Sequence, residues 1–397
     1  MSFQSNYALV PLGEVARFIN GDRSTNYPKG DDYVDDGAPF ISATELHEGR
    51  VDYAGVKRIS SSSFERLRSG KIQRDDVLFC LRGSIGKIAY VKDNEVGAIA
   101  SSLVIVRATE RIDSRYLFFG MSSQAGQQAA VGLNNGAAQP NLSVGELQKI
   151  SLPLPPLPIQ RRIASILSAY DELIGNCQRR IKLLELMARA LYREWFVHFR
   201  FPGHESVPRI PSPLGKVPKG WEVTTLGRLV DIRKGKNITK DTIRPGKVPV
   251  VAGGITPAYF HDTPNTRGPV VTISASGANA GFVNLYYHDV WASDCSYIDL
   301  VATSHIFYYY LWLDYRRAAI THLQRGSAQP HVYPKDLASL EALRPPEGLL
   351  TAFNSQVGPM FGLSKRLAER VEILSRTRDL LLPRLLSGQI DVEAIAS

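Results

Sequence analysis

The segment that decides the fold is residues 152–167, LPLPPLPIQRRIASIL, in which a proline-rich stretch ends and a helix begins. From Ile163 onward, apolar residues recur at alternating spacings of four and three, the pattern of a coiled-coil seam. The seam consists of Ile163, Leu167, Tyr170, Ile174, Cys177, Ile181, Leu184, Ala188, Leu191 and Trp195. The spacing predicts one long helix within residues 158–198; about 37 helical residues at about 1.5 Å each give a length of about 55 Å.

A second helix of the same kind is predicted over residues 347–390. Its seam consists of Phe353, Val357, Met360, Leu363, Leu367, Val371, Leu374, Leu381 and Leu385. Two such apolar stripes in one chain are buried most simply against each other. Because each helix follows its own globular region, a pseudo-twofold arrangement would make the two helices an antiparallel coiled coil.

The chain is a tandem duplication. Leu12 recurs at Leu226, an offset of 214, whereas Pro155 recurs at Pro345, an offset of 190 that continues through both helices. The insertions and deletions therefore lie between about residues 20 and 135 of the first copy. Since surface loops accept changes of length and packed frames do not, we predict two copies that share a frame but carry different loops.

Each copy is predicted to be an α+β globule, over residues 1–157 and 199–346. In the first copy, residues 76–81 and 87–91 predict two short strands joined by a glycine-containing turn. In the second copy, residues 269–273 and 281–285 flank another glycine-rich loop.

Composition limits the class of protein. The 397 residues are 44% hydrophobic and 21% charged, so a sizeable core is expected. No apolar run approaches the roughly 18–20 residues that span a bilayer, and the N-terminal stretch does not look like a secretion signal. Cys80, Cys177 and Cys295 lie far apart, which excludes a disulfide framework and a cysteine-rich zinc module. We expect a cytoplasmic protein of several domains.

The net charge of +9 and the pI near 9.4 leave two interpretations open. A polyanion such as DNA is one partner that lysine and arginine bind, because they release counterions from phosphates. A mildly basic, solvated surface would produce the same charge.

The sequence lacks a convincing catalytic motif. Gly83, Gly86 and Lys87 suggest a phosphate-binding loop, but a Walker loop has four residues between its glycines and a Ser or Thr after the lysine. The second copy has Phe282 where the first has Lys87. The pattern favours a hairpin turn and a binding protein that is not an enzyme, with a nucleotide site at Gly83 as the competing hypothesis.

Three signatures together resemble one known family. They are DDVLF at 75–79 followed by RGSIGK at 82–87, QPNL at 139–142, and the 152–167 segment followed by LLELMARALYREWFVHFRFPG at 183–203. They look like the specificity subunits of type I restriction-modification systems, and the resemblance covers essentially the whole chain. The helix start and the Arg-Glu-Trp-Phe ending are the most specific elements.

The resemblance implies a non-catalytic subunit with two target-recognition domains that reads a bipartite, asymmetric sequence in double-stranded DNA. Two modification subunits that bind S-adenosylmethionine, and restriction subunits that use ATP and Mg²⁺, would assemble around it. This chain itself would need no cofactor and no metal. The partner-binding residues implied by the helix motifs are Gln160, Arg161, Arg162, Trp195 and Phe196.

Candidate DNA-binding residues are polar or basic side chains in the predicted loops, because such side chains read base edges and contact phosphates. In the first copy they are Arg82, Ser84, Lys87, Asn134, Asn135, Gln139 and Asn141. In the second copy they are Lys234, Lys236, Ser276, Asn279, Arg325, Gln329 and His331. Gln139 and Gln329 precede a proline in both copies and could equally form a structural turn. A stand-alone DNA-binding regulator with its own coiled coil is the alternative to the specificity subunit.

Overall fold

The computed structural model describes residues 5–92, 96–133, 140–325 and 330–392, except for the side chain of Lys240. The chain folds into two compact units. Unit 1 comprises Met1–Gly175 and Val371–Ser397, and unit 2 comprises Asn176–Arg370. Each unit contains one globular region and parts of two long helices.

The globular region of unit 1 consists of short strands and short helices. The strands are β1 Leu9–Pro11, β2 Ala16–Asn20, β3 Tyr33–Val34, β4 Ala38–Ile41, β5 Leu46–His47, β6 Arg50–Val51, β7 Arg58–Ile59, β8 Val77–Cys80, β9 Ile88–Tyr90, β10 Ala98–Ile99, β11 Leu103–Ala108 and β12 Ser151–Pro153. The helices are α1 Leu12–Val15, α2 Ser61–Arg66, α3 Ser114–Ser122, α4 Gln124–Gly132 and α5 Val144–Lys149.

The globular region of unit 2 likewise consists of short strands and short helices. Its strands are β13 Arg209–Ser212, β14 Gly215–Pro218, β15 Glu222–Thr225, β16 Arg233–Lys234, β17 Val248–Val251, β18 Tyr259–His261, β19 Val270–Ser274, β20 Val283–Tyr286, β21 Trp291–Ala292, β22 Cys295–Ile298 and β23 Glu341–Arg344. Its helices are α7 Leu226–Leu229, α8 Ile306–Tyr315, α9 Arg317–His322 and α10 Pro334–Ala338.

Each unit is built on a four-stranded antiparallel sheet with the same arrangement of strands. The order is β2-β11-β8-β9 in unit 1 and β16-β22-β19-β20 in unit 2. The shared order confirms the duplication, and the two predicted strands on either side of each glycine-rich loop are neighbours in the sheet.

The units differ in their second sheet. Unit 1 has four strands in the order β10-β4-β7-β3, whereas unit 2 has three in the order β18-β17-β21. This is the region in which the offset of the sequence repeat changes. In both units a two-stranded pair, β1 with β12 and β15 with β23, closes the globular region before a long helix begins.

The main sheet of unit 1 is covered on both faces. Val77 and Phe79 of β8 pack in one cluster, and Leu78 and Cys80 pack in another, because successive side chains of a strand point to opposite faces. A sheet buried in this way leaves the loops at the ends of its strands for contacts with other molecules.

The two predicted long helices are present. Helix α6 spans Leu157–Tyr192 and helix α11 spans Glu347–Ser387. All the predicted seam residues are buried or half-buried. Helix α6 ends earlier than residue 198, since a π-helical turn, Arg193–Val197, follows it. Helix α11 continues through Pro383, and Gly388, with a φ of 72°, follows its last residue.

Each unit pairs early residues of one helix with late residues of the other. In unit 1, Ile163 and Leu167 of α6 share a core with Leu385 of α11. In unit 2, Tyr192 of α6 shares a core with Phe353 of α11. Both pairings have the antiparallel order that the sequence predicts.

Candidate nucleic-acid interface

One end of the main sheet of unit 1 gathers several of the predicted residues. Because neighbouring strands are antiparallel, the end of β8, the start of β9, the start of β11 and the end of β2 lie at the same end. Residues 81–87 join β8 to β9 there. Gly83 and Gly86 in this loop have φ values of 77° and 91°, a conformation that favours glycine.

The same hydrogen-bonded frame occurs at the corresponding end of the unit 2 sheet. The N–H of Gly83 donates to the carbonyl of Pro140 over 3.0 Å, and the N–H of Gly277 donates to the carbonyl of Pro330 over 3.1 Å. A neighbouring bond is also matched, from Leu142 N to Leu81 O at 2.9 Å and from Val332 N to Ala275 O at 2.9 Å. The glycine-proline frame is therefore common to both copies, whereas the side chains around it differ.

The loop after β8 is a hairpin, as the sequence favours. The N–H of Cys80 donates to the carbonyl of Lys87 over 2.8 Å, and Lys87 leads directly into strand β9. In a Walker loop the lysine lies at the start of a helix, where backbone N–H groups surround a phosphate. The geometry at Gly83 therefore does not provide that phosphate site.

Four of the predicted residues of the first copy lie at this end of the sheet. Arg82 and Ser84 are exposed in the hairpin loop, and Arg82 forms an isolated β-bridge with the exposed Asn141. Lys87 is exposed, and its ammonium donates to the carbonyl of Ala43 over 3.1 Å. Asn134, Asn135 and Gln139 lie outside the described residues.

Four of the predicted residues of the second copy also lie at the corresponding sheet end. Lys234 and Lys236 are exposed at the end of β16, and Asn279 is half-buried in the loop before β20. Ser276 donates a hydrogen bond to the carboxylate of Asp294. Gln329 lies outside the described residues.

Arg325 and His331 form a β-bridge with each other beside this loop. The guanidinium of Arg325 donates to Oδ1 of Asp336 over 2.6 Å, and the side chain of Asp336 is only 7% exposed. The ring of His331 stacks on Tyr333 with a centroid separation of 5.9 Å. Arg325 therefore has a structural partner, which the sequence did not indicate.

The sequence interpretation missed Arg23 at the unit 1 sheet end. Arg23 follows β2, is exposed, and donates to the carbonyl of Ser101 over 3.0 Å. Its proximity to the hairpin loop comes from the pairing of β2 with β11 and of β11 with β8. Spacing along the chain provides no signal for this contact.

Comparison with known proteins identifies the family. A family model described as the type I restriction modification DNA specificity domain matches residues 4–186 and again residues 218–346, together well over half of the chain. The chain belongs to this family. It is a non-catalytic DNA specificity subunit, and the presence of two specificity domains is consistent with a bipartite DNA target.

Curated relatives and a solved structure agree with this assignment. The type I restriction enzyme MjaIX specificity subunit of Methanocaldococcus jannaschii is 25% identical over 410 residues, covering 97% of this chain and 93% of the relative. A putative type I restriction enzyme MjaX specificity subunit of the same organism is 23% identical, covering 90% of this chain and 88% of the relative. The crystal structure of a type I restriction-modification S subunit from M. genitalium has a TM-score of 0.65 at 16% identity, covering 97% of this chain and 99% of that one. The predicted fold is confirmed.

Three of the five residues predicted to bind partner subunits are buried within the units of this specificity subunit, and their partner-binding role stays a prediction. Gln160 is 1% exposed and is held inside unit 1, where it accepts from Asp113 N over 2.8 Å and donates to Pro155 O over 2.8 Å. Trp195 and Phe196 are each 7% exposed, because both belong to the aromatic core of unit 2. These three side chains hold the helix ends to their units.

Arg161 and Arg162 differ from those three residues, since both are exposed at the start of α6. Nε of Arg162 donates to the carbonyl of Val392 over 3.0 Å, within unit 1. Arg161 lines an open polar cleft together with Arg74 and Asp75.

The described part of the specificity subunit has neither an exposed cysteine nor a set of metal ligands. The three cysteines are buried, and burial raises the pKa of the Cys295 thiol to about 12, so that this thiol is protonated at neutral pH. Among the described residues, no cluster of three or more His, Cys, Asp or Glu side chains could hold a metal ion. None of the helices in this same part of the chain has the length and apolar character needed to cross a membrane.

Proposed function

We propose that the loops at the two corresponding sheet ends bind the two halves of a bipartite, asymmetric DNA site. In this proposal residues 1–157 and 199–346 are the two target-recognition domains, and residues 158–198 and 347–390 are the helical segments that connect them. The supporting observation is the glycine-proline frame of Gly83 and Gly277, which has the same hydrogen bonds in both copies and carries different side chains.

The difference between the side chains supports an asymmetric site. At matched positions of the frame, unit 1 has Arg82 and Lys87, and unit 2 has Ser276 and Phe282. Arginine pairs with the O6 and N7 acceptors of guanine or with phosphates, whereas serine and phenylalanine offer other contacts. Two domains with such different loops would read two different half-sites.

The base-reading and phosphate-binding roles of the candidate residues belong to this proposal. In unit 1 they are assigned to Arg82, Ser84, Lys87 and Asn141, and in unit 2 to Lys234, Lys236, Ser276, Asn279 and His331. Asn134, Asn135, Gln139 and Gln329 lie in the same loops by sequence and remain candidates. Arg325 is assigned mainly to holding its loop through Asp336.

We further propose that the long helices determine the separation of the half-sites. Both helices continue without interruption from one unit into the other, over Leu157–Tyr192 and Glu347–Ser387. One turn of B-DNA is about 34 Å, and a helix of about 55 Å or less suits half-sites about one turn apart.

The partners of the specificity subunit are proposed to be two modification subunits, with restriction subunits joining the complex. The support for two copies is a pair of exposed apolar side chains at matched positions of the duplicated helices, Leu183 (58% exposed) and Ile373 (66% exposed). One lies in each unit, so that each unit offers an exposed apolar side chain at the same position of the repeat. S-adenosylmethionine would bind to the modification subunits, and ATP and Mg²⁺ to the restriction subunits, in the cytoplasm.

Reconstitution with the modification subunit encoded in the same host tests this function. The complex should methylate one split sequence, which sequencing of the modified DNA would reveal, and binding should weaken steeply with salt. The chain without its partner should bind DNA weakly, since its net charge is a modest +9. A lone chain that binds one sequence tightly and does not co-purify with a methyltransferase would instead be a stand-alone regulator.

A further inference from the structure

Arg23 and Arg82 lie on either side of the same turn in unit 1. The turn at Ser101 and Ser102 precedes β11, and Arg23 donates to the carbonyl of Ser101 over 3.0 Å. On the other side of the turn, the N–H of Leu81, next to Arg82, donates to the carbonyl of Ser102 over 2.9 Å. Two arginines that are 59 positions apart in the chain are thereby brought to one sheet end.

The positive charges of these two arginines are not neutralised by a neighbouring acid. No carboxylate among the described residues lies within ion-pair distance of either guanidinium, whereas Arg66 and Arg107 of the same unit pair with Asp32 and Asp76. Partial burial and the nearby charge of Arg82 lower the pKa of Arg23. Two exposed cations held close together attract an anion or a group rich in acceptors.

This pair of arginines is confined to unit 1. The repeat aligns Arg23 with Asn237 and Arg82 with Ser276. Asp294 occupies the position of Ser102 in unit 2. The carbonyl of Asp294 accepts a hydrogen bond from Ala275 N over 3.2 Å, and the carbonyl of Ser102 accepts the matching bond from Leu81 N. An acid at this place repels phosphates, so the second sheet end has a different local charge.

We infer that Arg23 is a second DNA-contacting arginine of the first recognition domain and that it acts together with Arg82 on acceptor atoms of one half-site. The acceptors are guanine O6 and N7 or phosphate oxygens, which guanidinium groups bind through the same donors. The inference rests on the proposed function of the sheet end. It adds a second positively charged residue, beside Arg82, to that sheet end. The contact between Arg23 and Ser101 leaves other N–H donors of the guanidinium for DNA.

The test compares four variants in the complex with the modification subunit: Arg23→Ala, Arg82→Ala, the double variant, and Arg111→Ala as control. Arg111 is also an exposed arginine of unit 1, but it follows the opposite end of β11 and pairs with Glu14. The probes are a duplex with the sequence methylated by the wild-type complex and duplexes in which the first or the second half-site is scrambled. Dissociation constants are measured at several salt concentrations.

Arg23→Ala should weaken binding to the intact duplex by about 5- to 150-fold if Arg23 contacts a base. If Arg23 contacts a phosphate, the variant should weaken binding to all duplexes and reduce the salt slope by about one. In either case the double variant should lose less than the two single losses combined, because the two residues act on the same half-site. Arg111→Ala should bind like the wild type.

The inference is overturned if Arg23→Ala binds every duplex like the Arg111→Ala control, or if its effect and that of Arg82→Ala are independent. Equal thermal unfolding of the variants and the wild type would exclude a folding defect. The variant Arg23→Lys keeps the charge, so it should retain more affinity for DNA than Arg23→Ala if the contact is with a phosphate. A wild-type complex without sequence preference would refute the proposed function itself, which this design separates from a failure at Arg23 alone.

Discussion

Arg378 of helix α11 forms an ion pair with Asp171 of helix α6 inside unit 1, with Nη1 and Oδ1 separated by 2.6 Å. Both side chains are partly buried. Burial lowers the pKa of Arg378, but its hydrogen bonds and ion pairs with Asp171 and Asp379 together raise that pKa. By the sequence repeat, the positions of Asp171 and Arg378 correspond to Phe361 and Ala188 in unit 2. Those two residues belong to one apolar core, so these matched positions of the duplicated helices are charged in unit 1 and apolar in unit 2.

Replacing Arg378 with Ala should therefore destabilise unit 1. The loss should be about 1–3 kcal/mol, between that of an exposed ion pair and that of a fully buried one, because Asp171 would lose a partner in a half-buried position. Urea unfolding measures the change, with Arg376→Ala as the control, since Arg376 is exposed on the same helix. Equal stability of the two variants would mean that the ion pair contributes nothing to the helix contact.

The long helices could be predicted from the sequence because the seam from Ile163 to Trp195 is a local, periodic signal. The recurrence of Gly83 and Pro140 at Gly277 and Pro330 was predictable from the duplication, but the hydrogen bond that joins each glycine to its proline was not. The arrangement of Arg23 beside Arg82 could not be predicted, because strand pairing brings together residues that are distant in the chain.

The residues predicted to bind partner subunits show a different limit of prediction from sequence. The Arg-Glu-Trp-Phe motif correctly pointed to the family, but a motif does not tell whether its aromatic side chains face a partner or a core. Trp195 and Phe196 face the core of unit 2, where Phe353 packs against both rings. Gln160 likewise has its hydrogen-bonding groups satisfied inside unit 1.

Substitution of Arg82 and substitution of Arg325 should have different effects. Arg82→Ala should impair recognition of the first half-site only, by about 1–3 kcal/mol for a base contact, without loss of stability. Arg325→Ala should lower the stability of unit 2 by about 1–3 kcal/mol, because the buried carboxylate of Asp336 would lose its partner. Binding to half-site variants and thermal unfolding of each variant separate the two effects.

The combination of Arg325→Ala with Asp336→Asn provides the control for this assignment. Removal of the unpaired charge should recover much of the lost stability. Full stability of Arg325→Ala alone, together with a selective loss of the second half-site, would instead identify Arg325 as a base-reading residue.

Shortening both helices by one heptad should change the spacing between half-sites. Deletion of residues 173–179 together with 370–376 retains the Asp171–Arg378 contact and the seam register on both sides. The change is about 10 Å at about 1.5 Å per residue, or about three base pairs, and each half-site should remain the same. Methylation mapping with the modification subunit reads the new spacing directly, and an unchanged spacing in an active variant would show that the helices do not determine it.

A fragment of residues 1–198 should form a twofold homodimer that reads a palindrome of the first half-site. It contains one globular region and the whole of α6, whose seam would be exposed without α11. In the dimer, α6 of the second copy would occupy the place of α11, so Ala188 would lie where Arg378 lies and Trp195 where Leu385 lies. The ion pair to Asp171 would be missing, and the tryptophan ring would have to fit the position of a leucine. The dimer should therefore be weaker than the native helix pair.

Ala188→Arg in this fragment should strengthen the dimer, because it restores an arginine opposite Asp171 in both symmetric halves. Ala190→Arg is the matched control, since residue 190 is exposed on the same helix and adds the same charge. Sedimentation at micromolar concentration measures the association, and methylation mapping with the modification subunit identifies the palindrome. A fragment that stays monomeric with and without Ala188→Arg, or one that still methylates the asymmetric site, would contradict the pseudo-twofold equivalence of the two helices.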